Sequence, residues 1–282
     1  MLRIRTLQFI YRLRDLTRCR DHQLLTDDVD YALQNARINL DIARTAQIDL
    51  SRANILEIGP GLSFAPQLAL ASYGARVTVA DPFLKRWDRN YHPEFYRRFR
   101  AKWDGPAGAI DAVIKANGYP PEVIRCVMQP IERFGLLDGQ QFDLIVSNAV
   151  LEHVFDFASA CRTLAMLTRV GGANSHQIDF RDHLNFERPL EFLLRSDTRF
   201  LFERARHPGG QGNRMRHSEY VQLFTDAGFS VEPDGANAFA EDRYFTEFLP
   251  RLRASTSRYR DWPAGDLRIL GARFTLHRTP IT

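Results

Sequence analysis

Cysteine is scarce in this chain: Cys19, Cys126 and Cys161 stand far apart with no paired spacing. That argues against a disulfide framework and a cysteine-based zinc cluster, and it fits reduced thiols in a cytoplasmic protein. Lysine is equally sparse, limited to Lys85, Lys102 and Lys115, so the basic charge is carried by arginine. No run approaches eighteen apolar residues, and the N-terminus lacks the apolar stretch and small-residue cleavage site of a secretory signal. Charge of one sign is lacking too. A formal net charge of +4 gives no argument for a nucleic-acid partner. Internal repeats and low-complexity segments are absent.

What is present suits one large domain with a helical extension. The 282 residues are 44% hydrophobic, enough to bury a sizeable core. In "MLRIRTLQFIYRLRDLTRCR", apolar residues alternate with arginines at helical spacing. Such a helix suits packing on its own domain with solvated arginines, and it equally suits peripheral contact with an anionic membrane surface. A second helix is expected from Thr26, as N-cap, toward Leu50. From residue 53 short apolar runs alternate with helical stretches, the pattern of βαβ units. Strands are expected near 54–58, 76–80, 123–127, 142–147, 173–180 and 267–277. Helices are expected from Phe64 to Tyr73, closed by Gly74, from Asp156 to Thr168, and from a Ser218 cap to Gly228.

The stretch "NILEIGPGLS" at 54–63 places Glu57 just ahead of Gly59 and Gly61, at the turn after the first strand. In open α/β sheets that turn lets the backbone approach a ligand closely. A dinucleotide fingerprint would need a small residue at 64, where Phe64 stands, and no basic residue lies between 57 and 75 to offset Glu57 against a pyrophosphate. A cationic ligand suits that acid better. Asp81, ending "ARVTVAD", can accept hydrogen bonds from ribose hydroxyls at the tip of the second strand.

With the downstream "FDLIVSNAVLEHV", these residues resemble the class I S-adenosylmethionine-dependent methyltransferases. The resemblance covers residues 50–232, including "LTRVGG" and "YVQLFTDAGF". It implies a Rossmann-like, doubly wound, mostly parallel seven-stranded α/β sheet with a reversed last strand and helices on both faces. On it, residues 1–50 form the N-terminal helical extension and 51–282 the methyltransferase domain, with insertions near 82–122 and 181–216. The implied cofactor is S-adenosylmethionine. Glu57, Gly59 and Gly61 would face its methionine half and Asp81 its ribose. Ser147 and Asn148 would lie near the amino acid portion and the methyl group. Gln129 and Ile131 would meet the adenine, where the family often carries an acid and this chain reads "MQPIERF".

For a hydroxyl acceptor the protein must remove a proton, and "SHQIDFRDHL" offers His176, Asp179, Asp182 and His183 after the fifth strand. His183 steered by Asp179 or Asp182 would suit general-base work. The same loop also suits a structural hinge with internally paired charges. A metal site has the right ligand types but no recognisable spacing, and none is assigned. His153 reads as a structural residue at a helix start. Nucleobase amine methylases carry an Asn/Asp-Pro-Pro-aromatic tetrad where this chain has "SNAV", which argues against nucleic acid as acceptor. Arg214 and Arg216, beside the glycines of "GGQGNRMRH", and the aromatic, arginine-rich first insertion suggest an anionic small-molecule or glycan-type acceptor. The alternatives are a non-catalytic cofactor-binding module and a protein or RNA methyltransferase.

Overall fold

The computed structural model describes residues 22–133, 139–206, 211–232 and 235–279. The expected helix within the first twenty residues lies outside them. The chain divides into two compact units, residues 1–131 with 141–146, and residues 132–140 with 147–282.

In the first unit, helix α1 (His22–Thr45) is followed by β1 (Asn54–Ile58), α2 (Ala65–Ser72), β2 (Arg76–Ala80), α3 (His92–Lys102), α4 (Gly108–Ala116) and β3 (Arg125–Val127). Strand β4 (Phe142–Asn148) begins in this unit. The sheet order is β3-β2-β1-β4, with β1 parallel to β2 and β2 parallel to β3. Four of the five residues of β1 and of β2 are buried, the mark of parallel strands covered on both faces. Pro66 sits in the first turn of α2, where its missing N–H costs nothing. Gly74 ends the following turn at φ +104, and a Cβ there would press to 3.0 Å from the Ser51 Cα.

The first insertion forms helices rather than a loop. Tyr96, Phe95 and Phe99 of α3 are buried, and Tyr119 stacks on Phe64 with ring centroids 4.4 Å apart. These aromatics are core. Helix α1 starts four residues before the expected cap; Thr26 lies inside it, its hydroxyl accepting from Arg98 at 3.3 Å. β3 starts at Arg125 because the Val123 and Ile124 amides donate to the Pro120 carbonyl in a turn.

The second unit holds α5 (Phe157–Leu167), β5 (Thr168–Asp179), α6 (Asp197–Arg206), α7 (His217–Asp226), β6 (Phe229–Val231), β7 (Ala236–Phe239), α8 (Asp242–Arg253), α9 (Ala264–Arg268) and β8 (Ile269–Arg278). Asp156 caps α5, accepting from the Ser159 amide at 3.2 Å. The order is β5-β8-β6, with β8 antiparallel to both neighbours, and β7 pairs with β8 off that path. The reversed last strand is as expected; β7 makes the eighth strand where seven were expected. Ser218 does not cap α7. It lies inside the helix, and its hydroxyl donates to Asp266 at 2.7 Å. Leu190, Phe192, Leu193, Phe200, Phe248 and Leu252 form a core of this unit. Together the units give the mixed, mostly parallel α/β architecture of the Rossmann-like class.

Candidate functional site

The first unit builds an open glycine turn at the end of β1. Gly59 and Gly61 adopt φ of +67 and +76, and a Cβ at Gly61 would meet no atom within 4 Å, so the loop leaves open space in front of its backbone. The Gly59 amide donates to the Ala80 carbonyl at 2.8 Å, tying the turn to the end of β2. Glu57 is buried, and its carboxylate accepts from the Gln67 amide. Burial pushes this carboxyl up to about 7, against the opposing hydrogen bond. A buried acid with one amide donor, facing a glycine turn, fits a cationic ligand. Asp81 is half-buried and accepts from the Phe83 amide at 2.5 Å; burial raises its carboxyl, with Phe83 and Lys85 acting the other way. Gln129 is exposed and Ile131 buried.

The insertion helix α3 supports this loop in a way the sequence did not reveal. The Phe64 amide at the start of α2 donates to the Tyr96 hydroxyl at 3.0 Å, and His92 Nε2 donates to the Leu62 carbonyl at 3.0 Å. His92 is thereby held as structure, since its Nδ1 accepts from the Asp88 amide at 2.7 Å.

The second unit collects the acid–base residues, and it separates them. His176 has no exposed surface; its Nδ1 lies 2.8 Å from the Ser147 hydroxyl and its ring stacks on Phe224. Burial, helped by Arg273, pushes it down to about 3, so it is neutral. Ser147 is therefore engaged with His176, and Asn148 has a partner of its own. His183 keeps 18% of its side chain exposed, with Nε2 3.6 Å from Asp179 Oδ2. Arg181 grips Asp179 through both oxygens, Nε to Oδ1 at 2.9 Å and Nη2 to Oδ2 at 2.6 Å. Burial works to raise the Asp179 carboxyl, but His183 and Arg181 outweigh it and hold it well below the usual carboxylate range. Asp182 is fully buried and structural, accepting from the Leu184 amide at 3.0 Å with Arg195 3.6 Å away.

Arg214 and Arg216, expected at the acceptor, have scaffold roles. Arg216 is completely buried and donates to the Phe180, Leu267 and Ile269 carbonyls. Arg214 is 4% exposed and binds the Arg195 carbonyl at 2.9 Å and the Asp197 carboxylate. A narrow crevice without room for a water molecule is nevertheless bordered by Arg214 with Glu152, Asp179, Arg181 and Asn213.

Glu152 is the residue sequence reasoning missed. It sits in the turn Leu151–His153, is 2% exposed, and neither carboxylate oxygen has a well-formed hydrogen bond among the described residues, the Glu152 and Asp179 amides lying near enough only to oppose burial weakly. Burial pushes its carboxyl up to about 8. The only hint was an acid inside the apolar run "AVLEHVF". The turn is entered through Ala149, whose φ of +53 is strained for a residue with a Cβ. The Asn213 amide holds it by donating to the Glu152 carbonyl at 2.7 Å.

The glycine turn after β1, the acids at 57 and 81, and the reversed last strand define a nucleoside-cofactor α/β transferase. The family model described as "Methyltransferase domain" matches residues 31–233, and the chain belongs to that family. It is an S-adenosylmethionine-dependent methyltransferase. Similar solved structures include an S-adenosylmethionine-dependent methyltransferase from Mesorhizobium loti (16% identity, 83% of this chain and 95% of that one, TM-score 0.48). Others are phosphoethanolamine N-methyltransferase 2 from Haemonchus contortus with S-adenosyl-L-methionine (14%, 86% and 53%, 0.46) and magnesium protoporphyrin IX methyltransferase from Synechocystis with bound SAH (13%, 92% and 88%, 0.46). No curated protein matches the sequence. Among the described residues, no helix is long and apolar enough to cross a membrane.

Proposed function

We propose that the chain methylates a hydroxyl oxygen of a small-molecule or glycan-type acceptor, and that His183, oriented by Asp179, takes the proton. The observation that carries this reading is the Arg181–Asp179–His183 series. A carboxylate kept ionised by Arg181 stands 3.6 Å from an imidazole that retains solvent access. His176, of equal interest in the sequence, is sealed in the core. Glu57, Gly59, Gly61 and Asp81 are assigned to the cofactor, which supplies a methyl carbon on a sulfonium and hence a good leaving group. Transfer forms a carbon–oxygen bond as the carbon–sulfur bond breaks and sulfur keeps the electron pair. The hydroxyl proton passes to His183 Nδ1, the ring nitrogen that does not face Asp179, and Asp179, beside Nε2, stabilises the imidazolium.

The test is release of S-adenosylhomocysteine across a panel of hydroxyl and amine acceptors. His183→Ala should bind cofactor as the parent does but lose about 10²–10⁴-fold in turnover. Turnover of amines with no hydroxyl accepted would overturn the acceptor assignment, and an unimpaired His183→Ala would overturn the base.

A further inference from the structure

Two histidines and one glutamate in the second unit pose a problem that methyl transfer does not answer. Glu152, His153 and His183 each place a ligand atom within 4.8 Å of the others. Both oxygens of Glu152, His153 Nδ1 and His183 Nε2 are buried and have no hydrogen-bond partner among the described residues. Leaving such groups unmatched is costly, and three such residues converging is not what packing alone produces. The imidazole rings of His153 and His183 lie 5.0 Å apart, edge to face.

We infer that Glu152, His153 and His183 form a binding site for a first-row divalent cation of the zinc type. The donor set is two imidazole nitrogens and one carboxylate, the combination that zinc, cobalt and their neighbours accept and that calcium and magnesium do not favour. Ligands around such an ion sit at roughly 2.0–2.2 Å from it, so donors now within 4.8 Å must close in modestly. Side-chain rotation supplies that movement.

The surroundings match what holds a metal ligand in place. His153 is hydrogen-bonded to the Gln211 backbone, which leaves Nδ1 as its open nitrogen. The Asn213 side-chain amide donates to the Val154 carbonyl at 2.9 Å, fixing the turn that carries both Glu152 and His153. Asp179, gripped by Arg181, stands 3.6 Å from His183 Nε2 and adds negative charge beside the space the cation would take. Charge agrees as well. Glu152 is an uncompensated buried acid unless it is protonated or meets a cation.

The site shares His183 with the proposed proton transfer: a cation on Nε2 leaves the imidazole no lone pair to act as base, so the two roles belong to the loaded and the empty protein, and the site is tested without turnover. The experiment strips the full chain with a chelator, re-equilibrates it with Zn²⁺, removes excess, and measures metal by atomic emission. Co²⁺ is titrated in parallel, with visible absorption as readout. One equivalent per chain is expected. Glu152→Gln, His153→Ala and His183→Ala should each weaken binding by at least about 10–100-fold. His277→Gln, which removes an exposed His–Glu pair elsewhere, should retain full binding. Zn²⁺ should raise the Tm of the parent and leave that of His183→Ala unmoved, a readout that holds even if the Glu152 variant folds poorly. Less than a tenth of an equivalent in the parent, or undiminished metal in all three ligand variants, overturns the site. Neither result bears on acceptor turnover, so failure here and failure of the hydroxyl assignment are told apart.

Discussion

The glycine turn of the first unit and the histidine cluster of the second solve the problem of placing charged groups in opposite ways. Glu57, Gly59, Gly61 and Asp81 come from one strand–turn–helix–strand unit, and each is set by the element it terminates. Backbone geometry does most of the work there: two left-handed glycines, one amide to the Ala80 carbonyl, and parallel register from Asn54 opposite Arg76 to Ile58 opposite Ala80. The second unit gathers residues 152, 153, 179, 181, 183 and 211–214 from separate turns and strand ends. Its arginines are consumed in the gathering. Local signals therefore describe a glycine turn well and a set of buried polar groups poorly, since buried arginines in the latter resemble ligands on paper.

The largest test of this contrast is Arg216. If it is scaffold, Arg216→Met leaves three carbonyls in the core without their charged donor and should cost about 3–5 kcal/mol of stability in a denaturant titration. A variant of normal stability that had lost only acceptor affinity would return Arg216 to the role its sequence context suggested.

A smaller effect is expected in the first unit, at the ribose position. Asp81→Ala should weaken S-adenosylmethionine by about 1–3 kcal/mol, read by titration calorimetry, while leaving the fold intact. Unchanged affinity would move the ribose contact elsewhere and erode the claim that local sequence defines this half.

The smallest effect is the pH response of Glu57. Its folded value, about 7, stands above the ordinary 4.5, so the folded protein without ligand favours the protonated acid. That contribution to stability is full below about 4.5 and is lost as pH rises through 7. A cationic cofactor reverses the preference by favouring the carboxylate. Affinity should therefore rise about tenfold from pH 6 to pH 8, with proton release on binding at pH 6. In Glu57→Gln the pH dependence should vanish; if it persists there, another group titrates.

Much of the fold was legible because its signals are local. β1 and β2 fall where their apolar runs place them, and Gly74 and Asp156 punctuate helices as their side chains, or lack of one, require. The capping role read for Ser218 failed because its hydroxyl is engaged by Asp266, 48 residues away. In the sequence, the aromatics of the insertion near 82–122 suit stacking on a ligand ring and packing in the core behind a helix equally well; they become core by stacking on Phe64 and on one another.

By itself, then, the sequence determined the backbone of the first unit's glycine turn. An acid, two glycines and a second acid along consecutive strands are placed by backbone conformation, which depends on neighbours in the chain. The tertiary structure alone decided which ionisable groups are available. His176 and His183 lie seven positions apart in similar polar surroundings, yet one is locked against Ser147 in the core and the other stands beside Asp179 with solvent access. Glu152 gained its interest only when burial stripped it of water and distant turns brought His183 beside it. Desolvation and long-range proximity are properties of the packed chain, and no spacing along the sequence encodes them.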